Sequence, residues 1–80
     1  MERPGVAAAY DTPRAAVDAM AAAIGYTVRA NRGGWVRFWN PFGTYAGKVQ
    51  GWPAAYRVMA GVYSHSTGRP APRVRLKGGA

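Results

Sequence analysis

The stretch Tyr26-Thr27-Val28-Arg29-Ala30-Asn31-Arg32-Gly33-Gly34-Trp35-Val36-Arg37-Phe38-Trp39 decides the fold. Apolar and polar side chains alternate along it with a period of two, the mark of strands whose two faces meet different surroundings. Gly33-Gly34 interrupts the alternation where a tight hairpin turn is needed, so the spacing predicts paired strands over 26–32 and 35–39. Tyr26, Val28 and Ala30 then share a side with Val36 and Phe38. Thr27, Arg29 and Asn31 share the other with Trp35, Arg37 and Trp39.

Asn40-Pro41-Phe42-Gly43 follows, with Pro and Gly placed for a second turn. Thr44 to Gln50 reads as a third, weaker strand. Strict alternation puts Tyr45, Gly47 and Val49 on its apolar side and Thr44, Ala46, Lys48 and Gln50 opposite. Gly47 within it marks either a bulge or a close approach of neighbouring chain.

Before the sheet, Asp11-Thr12-Pro13 is a helix start: the Thr12 hydroxyl can cap, and Pro13 suits a first helical position that needs no N–H. Val17, Met20, Ala21 and Ile24 recur at helical spacing, and Gly25 suits a left-handed stop, so a helix is expected over 13–24. After the sheet, Gly51-Trp52-Pro53 opens a second helix with the stripe Ala55, Met59 and Val62. Gly61 weakens its end, and Tyr63 to Gly68 reads as a loop. Ala15-Ala16 and Met20-Ala21 match Ala54-Ala55 and Met59-Ala60 in spacing, which two short Ala-rich amphipathic helices reach by composition alone.

The expected fold is therefore α+β: a three-stranded antiparallel sheet with one helix before it and one after (α-β-β-β-α). Residues 1–10 read as a flexible arm, 11–63 as a single domain and 64–80 as a basic extended tail. Val74 and Leu76 could add an edge strand to that tail, whereas Pro70, Pro72 and the terminal glycines favour disorder.

Charge is distributed as unevenly as hydrophobicity. The chain has eleven Lys and Arg against three acids, a net charge of +8. Glu2, Asp11 and Asp18 all precede residue 19, while nine of the eleven bases lie after residue 25. A long segment of cations without an anion repels itself unless a polyanion compensates it. Nucleic acid, an anionic membrane and an acidic protein are the usual candidates, the alternative being an Arg-rich composition that merely keeps the chain soluble. The two helices lack a cationic polar face, which argues against a membrane surface. No apolar run approaches the ~20 residues of a bilayer span, and Met1-Glu2-Arg3-Pro4-Gly5 lacks the layout of a signal peptide, so a cytoplasmic protein is expected.

The helices must cover the apolar side of the sheet, because nothing else in 80 residues can. The other side then carries two Trp flanking an Arg at i, i+2 and i+4. Each Trp buries roughly 150–250 Å² when covered, worth several kcal/mol at about 25 cal/mol per Å², so a bare Trp row calls for a partner. Aromatic faces accept bases or sugars, and guanidinium groups reach phosphates or guanine edges. The other arrangement open to this pattern puts one helix on each side of the sheet and makes Trp35 and Trp39 core. A third uses the Trp face as a homodimer or partner-protein interface.

The run Gly34-Trp35-Val36-Arg37-Phe38-Trp39-Asn40-Pro41-Phe42-Gly43-Thr44-Tyr45-Ala46-Gly47-Lys48-Val49, followed by Pro53-Ala54-Ala55-Tyr56, resembles the three-stranded-sheet DNA-binding domain of plant ethylene-response factors and of some phage homing endonucleases. The likeness covers roughly residues 26–60. It implies a sheet laid in the DNA major groove, with Arg29, Trp35, Arg37 and Trp39 against DNA. The chain departs from that family in its additional first helix, its shorter Trp-to-Gly spacing and its fewer basic strand residues. The α-β-β-β-α order is also similar to that of double-stranded-RNA-binding domains, although Trp52-Pro53-Ala54 stands where their Lys pair opens the second helix.

Catalytic chemistry finds little to build on. His65, the only histidine, lies in Ser64-His65-Ser66 with every acid far away in sequence, and there is no cysteine. Neither a nucleophile–base pair nor a metal site assembles, and the glycines form no phosphate loop. We expect no catalysis, cofactor or metal. The expected function is binding of DNA or RNA through Arg29, Asn31, Arg32, Trp35, Arg37, Trp39 and Lys48, with Arg73, Arg75 and Lys77 of the tail adding affinity. The alternative is a small phage-type accessory or inhibitor protein that grips an acidic partner protein through the same face.

Overall fold

A computed structural model of the chain describes residues 6–75. The element order is β1 (Ala9–Tyr10), α1 (Pro13–Ile24), β2 (Thr27–Ala30), β3 (Trp35–Trp39), β4 (Tyr45–Gln50), α2 (Trp52–Thr67) and β5 (Arg73–Val74). Strands β2, β3 and β4 form an antiparallel sheet with β3 in the centre, as the alternation predicts.

Local chemistry sets α1. The Thr12 hydroxyl accepts a hydrogen bond from Ala15 N at 3.1 Å, Pro13 occupies the first turn, and Gly25 closes the helix by donating its N–H to the Ala21 carbonyl. The stripe buries Ala16, Val17, Met20 and Ala21.

Helix α2 runs further than its local sequence signals indicate. Gly61 lies exposed inside it, and Gly68 ends it, donating its N–H to the Ser64 carbonyl. An interior glycine costs about 1 kcal/mol relative to alanine. Burial of Tyr63, one turn beyond Met59 on the same stripe, offsets that cost and keeps the last turns helical. The buried stripe is thus Ala55, Met59 and Tyr63, with Val62 partly buried against the core beside it.

Both helices pack on one side of the sheet and against each other. The core consists of Ala16, Val17, Met20 and Ala21 from α1, Ala55, Met59 and Tyr63 from α2, and Val36 and Phe38 from the central strand. Ala16 and Met20 in one helix and Ala55 and Met59 in the other are all fully buried. The spacing common to the two helices therefore reflects a common packing requirement. Small residues let the helices approach, while methionine fills the space between them.

The hairpin between β2 and β3 is not a two-residue Gly-Gly turn. It spans Asn31 to Gly34, with Asn31 N donating to the Trp35 carbonyl and Gly34 N to the Asn31 carbonyl. The β3–β4 hairpin repeats the pattern from Asn40 to Gly43. In each, an Asn carboxamide oxygen accepts backbone N–H groups: that of Trp35 at 3.0 Å in the first, those of Phe42 and Thr44 at 2.9 and 3.0 Å in the second. Asn in the first position thus governs both turns, because its side chain satisfies donors that a hairpin end leaves unpaired.

The described parts of both chain ends are docked. Ala9–Tyr10 and Arg73–Val74 pair as a separate two-stranded parallel sheet, so the C-terminal strand joins the N-terminal segment and not the main sheet. Val6, Tyr10, Ala71 and Val74 pack against the core, and the Tyr56 hydroxyl donates to the Pro72 carbonyl at 2.5 Å. A flexible arm over 1–10 and an extended tail over 64–80 are thus replaced, within 6–75, by a paired strand at each end and a helix to Thr67. The apolar contacts of Val6, Tyr10 and Val74 supply what the composition of either segment alone does not disclose.

Candidate nucleic-acid interface

The sheet side turned away from the helices carries the candidate site. Val36 and Phe38 point into the core, which leaves Trp35, Arg37 and Trp39 on the opposite side, each half-buried. Neither Trp35 nor Trp39 belongs to the core or to the apolar residues packed on it. An arrangement with one helix on each face is therefore excluded. The reason is that the stripes of α1 and α2 need each other as well as the sheet, and a single side satisfies both.

Strand register arranges this face in cross-strand rows. Arg29 stands opposite Arg37, and Arg37 opposite Lys48, so three cations from three strands form one row across the sheet. On one side of that row lies Trp35, paired with Gln50. On the other lies Trp39, with Thr27 and Tyr45 as its neighbours on the adjoining strands. Like charges directly opposite each other are destabilising in a sheet. Among the described residues the ion pairs are Arg14 with Asp18 at 3.9 Å and Arg75 with Asp11 at 3.1 Å, and neither touches this row.

Each Trp has a neighbour of its own. The Lys48 ammonium lies 4.7 Å from the centroid of the Trp35 ring, a cation–π contact that steers the Lys48 charge toward one end of the face. Tyr45 meets Trp39 edge-on, with ring centroids 5.7 Å apart and planes at 62°. The third tryptophan, Trp52, belongs to the core side and not to this face: it opens α2, packs against the core, and has the Arg14 guanidinium 5.3 Å from its ring centroid.

The position of Tyr45 corrects the expectation of strict alternation. Phe38 pairs with Gly47 but Trp39 pairs with Tyr45, so Ala46 is an extra residue without a partner and β4 bulges there. Beyond the bulge the faces exchange, and Tyr45 leaves the apolar side to join Trp39. Gly47 makes this possible, since its φ of +130° lies in a region that L side chains rarely adopt. The glycine is the signal in the sequence: it marks a bulge or a close approach, and no side chain or backbone crowds it within 4 Å. Phe42, at the tip of the β3–β4 hairpin, is the second residue that alternation does not single out. It is 92% exposed.

Arg29 and Lys48 are exposed on the face, and Arg32 and Asn31 are exposed in the turn beside Trp35. Asn31 has a structural role there, accepting from Trp35 N. Arg73 and Arg75 belong instead to the β1–β5 pair, where Arg75 is engaged with Asp11 through a hydrogen bond and ion pair. They are not part of the sheet face. Lys77 lies outside the described residues. His65 is exposed in the last turn of α2. No helix among the described residues is long and apolar enough to cross a membrane.

Comparison of the chain with protein-family models, with curated proteins and with solved structures gave no match. The functional reading therefore rests on the face itself.

Proposed function

We propose that this protein binds nucleic acid through the outer face of its three-stranded sheet and does so without catalysis. One observation carries the reading: Arg29, Arg37 and Lys48 stand in a single cross-strand row with no carboxylate partner among the described residues, flanked by two partly buried tryptophans that lie outside the core. A row of like charges costs free energy in the unbound fold. A phosphate backbone converts that cost into attraction and releases counterions as it docks. The aromatic flanks supply contact area that a purely ionic patch lacks, and they favour a polyanion carrying flat rings over an acidic protein surface.

Arg73 and Arg75 lie apart from this face on the β1–β5 pair, where Arg75 is ion-paired with Asp11. Filter binding of labelled duplex and single strands, at low and at moderate salt, tests the proposal. Retention at low salt that falls steeply as salt rises, and that is lost in Arg37→Ala, is the expected result. No retention of either form at low salt overturns it.

A further inference from the structure

We infer that the ligand of this face is an unpaired strand, and that the aromatic end formed by Trp39, Tyr45 and Phe42 stacks its bases. The inference rests on the nucleic-acid reading above and names the form of nucleic acid that the same site takes.

The order of groups across the face favours it. A duplex groove presents base edges along its floor and phosphates along both rims. A protein face complementary to a groove has edge-reading groups in the middle and further cations to either side for the phosphate rims. On this face the central-strand positions to either side of the row hold Trp35 and Trp39 instead. Its cations form the middle row and its aromatic rings lie to either side, each about 6.6 Å from the row because successive same-face residues in a strand are that far apart. A single strand whose backbone follows the cationic row can turn its bases outward onto the flanking rings. Duplex bases, already stacked on one another, offer those rings no π-face.

The two aromatic ends are not equivalent. Lys48 already lies over the Trp35 ring, so that end is partly occupied by the protein's own cation. At the other end the edge-on contact of Tyr45 with Trp39 occupies at most one ring face of the pair. Just beyond, in the hairpin joining their two strands, Phe42 is 92% exposed. The backbone that carries it is held firmly: Asn40 Oδ1 accepts from Phe42 N and from Thr44 N, and Asn40 N donates to the Thr44 carbonyl. An exposed phenylalanine on an ordered tip contributes nothing to the core, while the backbone that presents its ring has little ordering entropy left to lose on binding. Phe42 thereby adds a third aromatic ring beyond Trp39 and Tyr45, past the end of the sheet.

The test is fluorescence anisotropy with a labelled oligonucleotide of about a dozen nucleotides, a length within the site sizes of single-strand binders, free and annealed to its complement. It is run on the full chain and on Phe42→Ala, whose exposure leaves the fold untouched, as circular dichroism will verify. We expect the single strand to bind at least about tenfold more tightly than the duplex. We also expect Phe42→Ala to weaken single-strand binding on the order of tenfold while changing duplex binding less than about twofold, the scale of one lost base–aromatic stack. Duplex binding equal to or tighter than single-strand binding, or unchanged single-strand affinity in Phe42→Ala, overturns this inference and leaves the nucleic-acid reading standing. Absence of binding to either form overturns both.

Discussion

Lys48 and Trp35 sit on adjacent strands with the ammonium 4.7 Å from the ring centroid, so one member of the cationic row is anchored to one of its aromatic flanks. Lys48 is exposed and makes no ion pair among the described residues, which leaves its charge free to meet an anion as well as the ring.

Replacing Lys48 by Gln removes one phosphate contact and the cation over Trp35. The slope of log Kobs against log salt should become shallower by about 0.7 for a single strand, the increment for one neutralised phosphate. An unchanged slope would show that Lys48 does not meet phosphate.

Arg37 lies between two cations, opposite Arg29 and Lys48. Arg37→Thr retains a residue suited to a strand and relieves both repulsions, so the free protein should gain roughly 0.2–1 kcal/mol in stability. For a domain of this size that amounts to a rise in Tm of a few degrees (about 4–8 °C per kcal/mol). Binding should fall in the same variant. Thermal unfolding followed by circular dichroism measures the first effect and anisotropy the second; a substitution that loses both stability and binding would mean that Arg37 has a structural role.

Gly47 holds the bulge that carries Tyr45 to the Trp39 side, at φ +130°. Gly47→Ala forces a side chain into that backbone region at a cost on the order of 1–3 kcal/mol, although the space around it is open. Urea unfolding should show the loss, and Trp fluorescence should shift as Tyr45 moves away from Trp39. A neutral Gly47→Ala would place the extra residue of β4 elsewhere.

Met59 is fully buried between α1, α2 and the sheet, whereas its neighbour Val58 is 39% exposed. Met59→Ala should cost about 2–5 kcal/mol, a large share of the roughly 4–12 kcal/mol that an 80-residue domain has in total. Val58→Ala should stay within about 0.5 kcal/mol. Chemical denaturation of the pair gives the comparison, and similar midpoints would contradict the helix orientation described.

How much of the fold is legible in the sequence depends on how local its causes are. Helix α1 is legible from end to end, since Thr12, Pro13 and Gly25 act on their own immediate backbone and the stripe between them is a matter of spacing. The end of α2 is not, because the local signal at Gly61 competes with the burial of Tyr63, and burial is known only once the partner surface is in place. The turns are legible in position but not in form. Their glycines announce them, while the asparagines that accept the turn N–H groups carry no signal that spacing alone reveals.

The same division runs through the face. Period-two alternation places Arg29, Trp35, Arg37, Trp39 and Lys48 on one side of the sheet from sequence alone, because side chains in a strand have no other choice of direction. Three things needed the tertiary structure. Both helices share the far side, which bares the tryptophans. The bulge at Ala46 reverses the faces and adds Tyr45. The docking of Val74 beside Tyr10 keeps Arg73 and Arg75 away from the row. Alternation is a property of one strand, whereas register, layer and the placement of the chain ends are settled by free-energy differences between whole packings, which no stretch of residues carries by itself.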